Sequence, residues 1–170
     1  LDKNGKEMGA IVNELKERSL QGYSYEAAEA SFVLLVEKLL GKYNSSFDLI
    51  NYKIINEQPA IEGKVASAII KIRVNGVTKI SASDGEGPVH AMDLALRSAL
   101  ADFYPEIANV SLTDFKVRVL DSDKATAAKV RVLITSANSS DSWTTVGVSE
   151  DVIEASWLAL VDSIDYALMR

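Results

Sequence analysis

Lys64-Val65-Ala66-Ser67-Ala68-Ile69-Ile70-Lys71-Ile72-Arg73-Val74-Asn75-Gly76-Val77 is the stretch on which the fold turns. Ala68, Ile70, Ile72 and Val74 recur every second residue, the period of a strand with one covered face. Asn75-Gly76 then supplies two residues that tolerate positive φ, the strongest short signal for a hairpin turn. Strands are therefore expected over 47–55, 64–74 and 77–83. Pro88 suits the first turn of a helix, and Met92, Ala95, Leu96, Ala99, Leu100 and Phe103 make one apolar face behind it. The order is strand, strand, strand, helix.

The same order returns downstream, and it returns residue by residue. Lys64, Ala68, Ile70, Lys71, Ile72 and Val74 fall on Lys124, Ala128, Val130, Arg131, Val132 and Ile134. In the helices, Val89, Ala91, Ala95 and Leu96 fall on Ile153, Ala155, Ala159 and Leu160, with the extra residues taken up by a longer hairpin at 136–142. Strands are expected over 114–120, 126–135 and 143–148, followed by a helix capped by Ser149. Two βββα units, about 46–104 and 112–169, each with one apolar sheet face and one amphipathic helix, predict a pseudo-symmetric α+β domain.

Ahead of them, residues 6–41 read as two helices broken at Gly22. Ala28, Ser31, Phe32, Leu35 and Leu39 form the stripe of the second, with Ser24 as N-cap and Gly41 as its end. Neither helix can bury its stripe on the other alone, so both are expected to pack elsewhere. The domain plan is a helical lead-in over 1–41 and an α+β domain over 42–170. Leu1 opens the chain without methionine and in mid-helical character, which predicts a piece of something longer.

Composition excludes several functions. The chain has 170 residues, 48% of them apolar, enough for a sizeable core. No cysteine is present, which removes disulfides, thiolate chemistry and Cys-ligated metals. No apolar run could span a bilayer and no signal-peptide pattern opens the chain, so a soluble cytoplasmic protein is expected. Lys plus Arg number 18 against 24 for Asp plus Glu, a net charge of −6 that disfavours nucleic acid. A double-stranded-RNA module shares part of the element order but needs a basic helix start. Here Asp84 and Glu86 precede one helix, and Glu150 and Asp151 the other.

Candidate chemistry is sparse. Asp84-Gly85-Glu86-Gly87-Pro88-Val89 enters a helix as a phosphate loop would, yet lacks the Lys and Ser/Thr that such a loop needs, and reads more simply as a tight turn. His90 is the single histidine, so no His pair can hold a metal. No Gly-x-Ser-x-Gly elbow is present. Glu150, Asp151 and Glu154 complement the dipole of the last helix.

Several stretches carry a resemblance. They are Gly22-Tyr23-Ser24-Tyr25-Glu26-Ala27-Ala28-Glu29-Ala30-Ser31-Phe32, the Gly85-x-Gly87-Pro88-Val89 turn, Leu96-Arg97, Leu112-x-Asp114-Phe115-Lys116-Val117-Arg118, Val146-Gly147-Val148-Ser149-Glu150 and Ile153-Glu154-Ala155-Ser156-Trp157. Together they resemble the C-terminal part of the citramalate synthase and 2-isopropylmalate synthase family, closest to the citramalate branch, over nearly all of residues 7–168.

The resemblance implies the allosteric domain of an acetyl-CoA-dependent 2-oxo-acid acyltransferase. Its divalent metal and acetyl-CoA would belong to a catalytic (β/α)8 barrel outside this chain, leaving the fragment non-catalytic and without a cofactor of its own. It further implies a homodimer, coupling to the barrel of the same protein, and feedback inhibition by isoleucine, or by leucine in the isopropylmalate branch. A homocitrate synthase relative and a free-standing amino-acid-binding or dimerising module remain alternatives. Carried over by position, the effector residues are Val89, His90, Leu112, Phe115, Val119, Glu150 and Val152.

Overall fold

The structure is a computed structural model that describes residues 5–120 and 128–169. Its chain divides into two compact units. One is the continuous segment Ser45–Ser111; the other joins Leu1–Asn44 to Leu112–Met169.

The continuous unit holds β1 (Asp48–Ile61), β2 (Lys64–Val74), β3 (Val77–Gly85), α3 (Pro88–Leu100), and a 3-10 turn at Pro105–Asn109. The strands make an antiparallel sheet in the order β1-β2-β3. Ala66, Ala68, Ile70, Ile72 and Val74 are all buried, as the period of two requires, and α3 lies on β2 and β3. Met92, Ala95, Leu96, Ala99 and Leu100 of α3 are completely buried, while Phe103 lies beyond the helix and is half-buried. Asn75 and Gly76 take φ of 49° and 80°, a pair of left-handed residues fitting the expected two-residue hairpin.

The strand boundaries differ from expectation most at the end of β1, while β3 runs two residues further, to Gly85. β1 runs to Ile61 rather than Ile55, because Ile61 still pairs with Lys64 after a register shift beyond Asn56. Glu62 and Gly63, at φ of 52° and 76°, make a second hairpin turn of the same left-handed kind.

The discontinuous unit holds α1 (Lys6–Gln21), α2 (Glu29–Leu39), β4 (Ser111–Val119, its first residue belonging to the other unit), β5 (Val130–Ala137), β6 (Ser142–Ser149) and α4 (Val152–Met169). Of the strand expected over 126–135, the first two residues lie outside the described residues, as does Lys124 of the repeat, and Ala128 and Lys129 precede the strand, which begins at Val130. The sheet order is β4-β5-β6, so both units repeat the βββα plan. Asn138 closes the longer hairpin, its Oδ1 accepting from the amides of Ser140 and Asp141 at 3.0 and 2.8 Å.

Both lead-in helices fold into this unit. α1 ends at Gly22, φ 106°, where the Tyr23 amide reaches back to the Arg18 carbonyl at 3.0 Å. The Gly22 carbonyl accepts from Arg131 Nε and Nη2 at 2.9 and 2.7 Å, which pins the end of α1 to β5. α2 starts at Glu29, with Ala28 in the cap position, so Ser24 is not its N-cap. The residues between instead lay Tyr23 and Tyr25 face to face, centroids 5.9 Å apart, against a small core of Ala28, Val146 and Val148. α2 packs on α4 and on β6. Its Ser31 hydroxyl accepts from the Val146 amide at 2.9 Å and donates to Asp162 Oδ2 at 2.8 Å. A strand edge that would otherwise present an open amide is thereby closed.

Among the described residues no helix is long and apolar enough to cross a membrane.

Candidate functional site

The glycine-rich turn packs its own helix. A Cβ at Gly85 would stand 2.4 Å from the Ala91 amide nitrogen, so the turn needs glycine for close approach to α3. His90 completes the turn: its Nδ1 accepts from the Glu86 amide at 3.1 Å, which leaves Nε2 as the donor of the neutral ring. His90 is exposed and Val89 half-buried at the start of α3.

The other five expected effector residues lie in the discontinuous unit. Phe115 and Val119 stand on β4, 36% and 56% exposed, and Val117 between them is 45% exposed. Alternation puts these three on one face and Leu112, half-buried, on the other. The described geometry therefore groups Phe115 and Val119 with Val117, and not with Leu112.

Glu150 and Val152 flank the start of α4, both exposed. The cap itself is Asp151, whose Oδ1 accepts from the Ile153 amide at 2.8 Å. Ser149, expected as the cap, accepts from the Asp151 amide at 3.1 Å and donates to Glu154 at 3.0 Å. Two amides at this helix start are thus already taken, and Glu150, Asp151 and Glu154 are all exposed.

Buried charge lies elsewhere. Asp93 on α3 pairs with Arg97 at 2.9 Å, and Arg97 also donates to the Val110 carbonyl at 3.0 Å. Asp162 on α4 accepts from Ser31, with Lys38 at 3.8 Å from its other oxygen. Burial pushes both carboxyls above the usual carboxylate range. Arg97 opposes the shift at Asp93; Lys38, Ser31 and Arg18 oppose it at Asp162, where Asp165 reinforces it.

A carboxyl raised on folding contributes stability that is present at low pH and lost as pH climbs through its folded value. The melting temperature should accordingly gain from these two groups as pH falls from 7 toward the carboxylate range. Asp162→Asn should flatten that slope, which thermal melts across pH will read. An unchanged slope would contradict the assignment.

Among the described residues no group of three or more His, Cys, Asp or Glu is placed to hold a metal ion. The sequence signal for β4 was its alternation. Nothing in the sequence marked the α2–α4 contact built by Ser31 and Asp162.

Comparison with known proteins follows the same lines. (R)-citramalate synthase of Aquifex aeolicus is 43% identical over 171 residues, covering all of this chain and 32% of that protein. The enzymes of the same name from Geobacter sulfurreducens and Synechocystis are 43% and 42% identical, covering 94% and 99% of this chain and 30% and 31% of theirs. The chain thus spans about a third of the length of these relatives. Residues 26–168, which include both βββα units, match the LeuA allosteric (dimerisation) domain. The chain belongs to the LeuA allosteric domain family.

Proposed function

We propose that this chain is the cytoplasmic regulatory region of an acyltransferase of the (R)-citramalate synthase kind, a homodimer that binds isoleucine for feedback inhibition. The observation that carries the reading is the similarity along the whole chain to one third of the length of citramalate synthases, together with the family match. The acyl transfer, with its acetyl-CoA, 2-oxo acid and divalent metal, belongs to the catalytic barrel of the longer protein.

The effector surface is built on β4 and the start of α4. Phe115, Val119 and Val152 offer an aliphatic side chain apolar contact, and Glu150 offers the ammonium an acid. Leu112, on the opposite face of β4, and Val89 and His90, in the other unit, are proposed through the family correspondence alone. The exposed apolar face of β4 supports twofold association as well, since a second copy would cover what one chain leaves in water.

An amino acid that binds only the folded chain raises its melting temperature by mass action, about 2.7 kcal/mol at a hundredfold excess over Kd. Isoleucine should stabilise the chain by roughly 5–10 °C at that excess, more than leucine or valine does, with no effect of acetyl-CoA. Stabilisation by acetyl-CoA and by no branched-chain amino acid would falsify the reading; a leucine preference would move it to the isopropylmalate branch.

Phe115→Ala should abolish the isoleucine shift and also cost some stability, because a residue only 36% exposed packs as well as binds. Calorimetric titration of that variant checks it. Undiminished affinity would place the effector elsewhere.

A further inference from the structure

A cavity of about 420 Å³ opens between the end of α1, α2, β6 and α4, entirely within the discontinuous unit and apart from the effector residues on β4. Its size is that of a small-molecule site. Its walls are of three kinds. Leu35, Leu158 and Val161 give aliphatic surface, and Leu158 is 37% exposed, so this wall is open to solvent. Arg18 gives a cation, with its guanidinium 5.2 Å over the Tyr23 ring and its Nε held by Glu14 at 2.8 Å. Asp162 gives an acid.

The two charged groups are held differently. Arg18 is held through Nε by Glu14, lies over the Tyr23 ring and pairs with the Tyr23 and Tyr25 hydroxyls, which together make a donor-rich corner of the cavity. Those hydroxyls stay protonated: burial raises both, Tyr25 to about 12, so each can donate. Asp162 receives Ser31 on Oδ2, but Lys38 stands 3.8 Å from Oδ1 and sits 4.6 Å over the Tyr43 ring. That oxygen lies outside ordinary hydrogen-bond range of the ammonium nearest it.

The cavity lining carries Arg18 and Lys38 against Asp162, with Glu14 paired to Arg18 and Asp165 close to Asp162. A site with a carboxylate-receiving corner and a carboxylate of its own disfavours a dianion, which would meet Asp162. It equally disfavours a lone cation, which would compete with Lys38. A neutral molecule with both poles and an apolar tail satisfies all three walls.

We propose that this cavity is a second small-molecule site, which takes a small aliphatic zwitterion of the α-amino-acid class. Its carboxylate lies on Arg18 and the tyrosine hydroxyls, its ammonium on Asp162 Oδ1, and its side chain on Leu35, Leu158 and Val161. Because the site is walled by α1 and α2 on one side and β6 and α4 on the other, an occupant ties the lead-in helices to the second βββα repeat.

The test is an NMR titration of the nitrogen-15-labelled chain with L-isoleucine, 3-methylpentanoate and 2-methylbutylamine as probes. The Val146, Leu158 and Val161 amides should shift and saturate with the amino acid. The acid and the amine, each lacking one pole, should need at least tenfold higher concentration. Asp162→Asn and Arg18→Gln should each weaken the cavity response at least tenfold. Arg18 is partly exposed on α1, so its variant stays informative should Asp162→Asn unfold. Phe115→Ala should leave the cavity response unchanged.

Shifts confined to amides around Phe115 would overturn the cavity site and leave the proposed effector surface standing. Shifts at the cavity that survive Phe115→Ala, with none on β4, would do the reverse. Equal binding of the two half-ligands, or indifference of a folded Arg18→Gln variant, would also overturn the cavity assignment.

Discussion

Gly147→Ala is expected to cost about 3 kcal/mol or more, a fall of roughly 10 °C in melting temperature for a domain of this size. A Cβ at Gly147 would stand 2.0 Å from the Ala155 carbonyl oxygen and 3.0 Å from the Ala159 nitrogen. β6 and α4 touch backbone to backbone there, so no side chain can turn aside; the helix would have to lift from the sheet. Because the clash is with a carbonyl and not with the alanine methyl, Ala155→Gly should fail to rescue the variant. Gly63, at φ 76° in open space, offers the contrast: Gly63→Ala should cost only about 1 kcal/mol. Thermal melts of the three variants decide the matter, and a Gly147→Ala protein as stable as the parent would refute the close approach.

The second large effect is expected at Arg97. Its partner Asp93 has a side chain only 7% exposed, and Arg97 supplies both the ion pair and a bond to the Val110 carbonyl. Arg97→Ala strands a buried carboxylate and should cost about 3–5 kcal/mol at neutral pH. Adding Asp93→Asn should recover part of the loss, since the remaining amide has no charge to bury. The deficit of the single variant should also shrink on acidification, as Asp93 takes up a proton. Denaturant titrations at pH 7 and pH 5 measure both; an equal loss at the two values would mean that charge is not the cause.

Much of this fold was legible in the sequence, because two signals are local. A period of two with Asn75-Gly76 specifies β2, its turn and β3, and Pro88 with its apolar face specifies α3. The matching positions then carry the second unit. Where the reading slipped, local chemistry misled. Asn56-Glu57-Gln58-Pro59 looks like a loop, yet the backbone goes on to pair Ile61 with Lys64. Ser24 and Ser149 are good caps by type, but tyrosine stacking delays α2 to Glu29, and Asp151 sits nearer the first turn of α4.

The site was legible only in part. Phe115 and Val119 could be placed on one strand face, but the same alternation sets Leu112 on the other. The cavity between α1, α2, β6 and α4 had no local signal at all. Ser31 meets Val146 and Asp162 across 115 and 131 residues of chain, and no pattern within a helix announces such a partner.

The discontinuity of the second unit bears on the order in which the protein can be made. The segment Ser45–Ser111 contains all three strands and the helix of its own unit, joined by short turns, so it can close as soon as it leaves the ribosome. α1 and α2 emerge earlier but must wait, because the strand edge and helix they cover are synthesised only after the middle segment. Once the middle segment has collapsed, the distance the waiting ends must search is shorter than the intervening residue count suggests, which lowers the loop-closure cost of the final step. The two helices made before the middle segment therefore dock after it has closed, and nascent chains halted before α4 should protect the middle segment from protease while leaving residues 6–39 open to it.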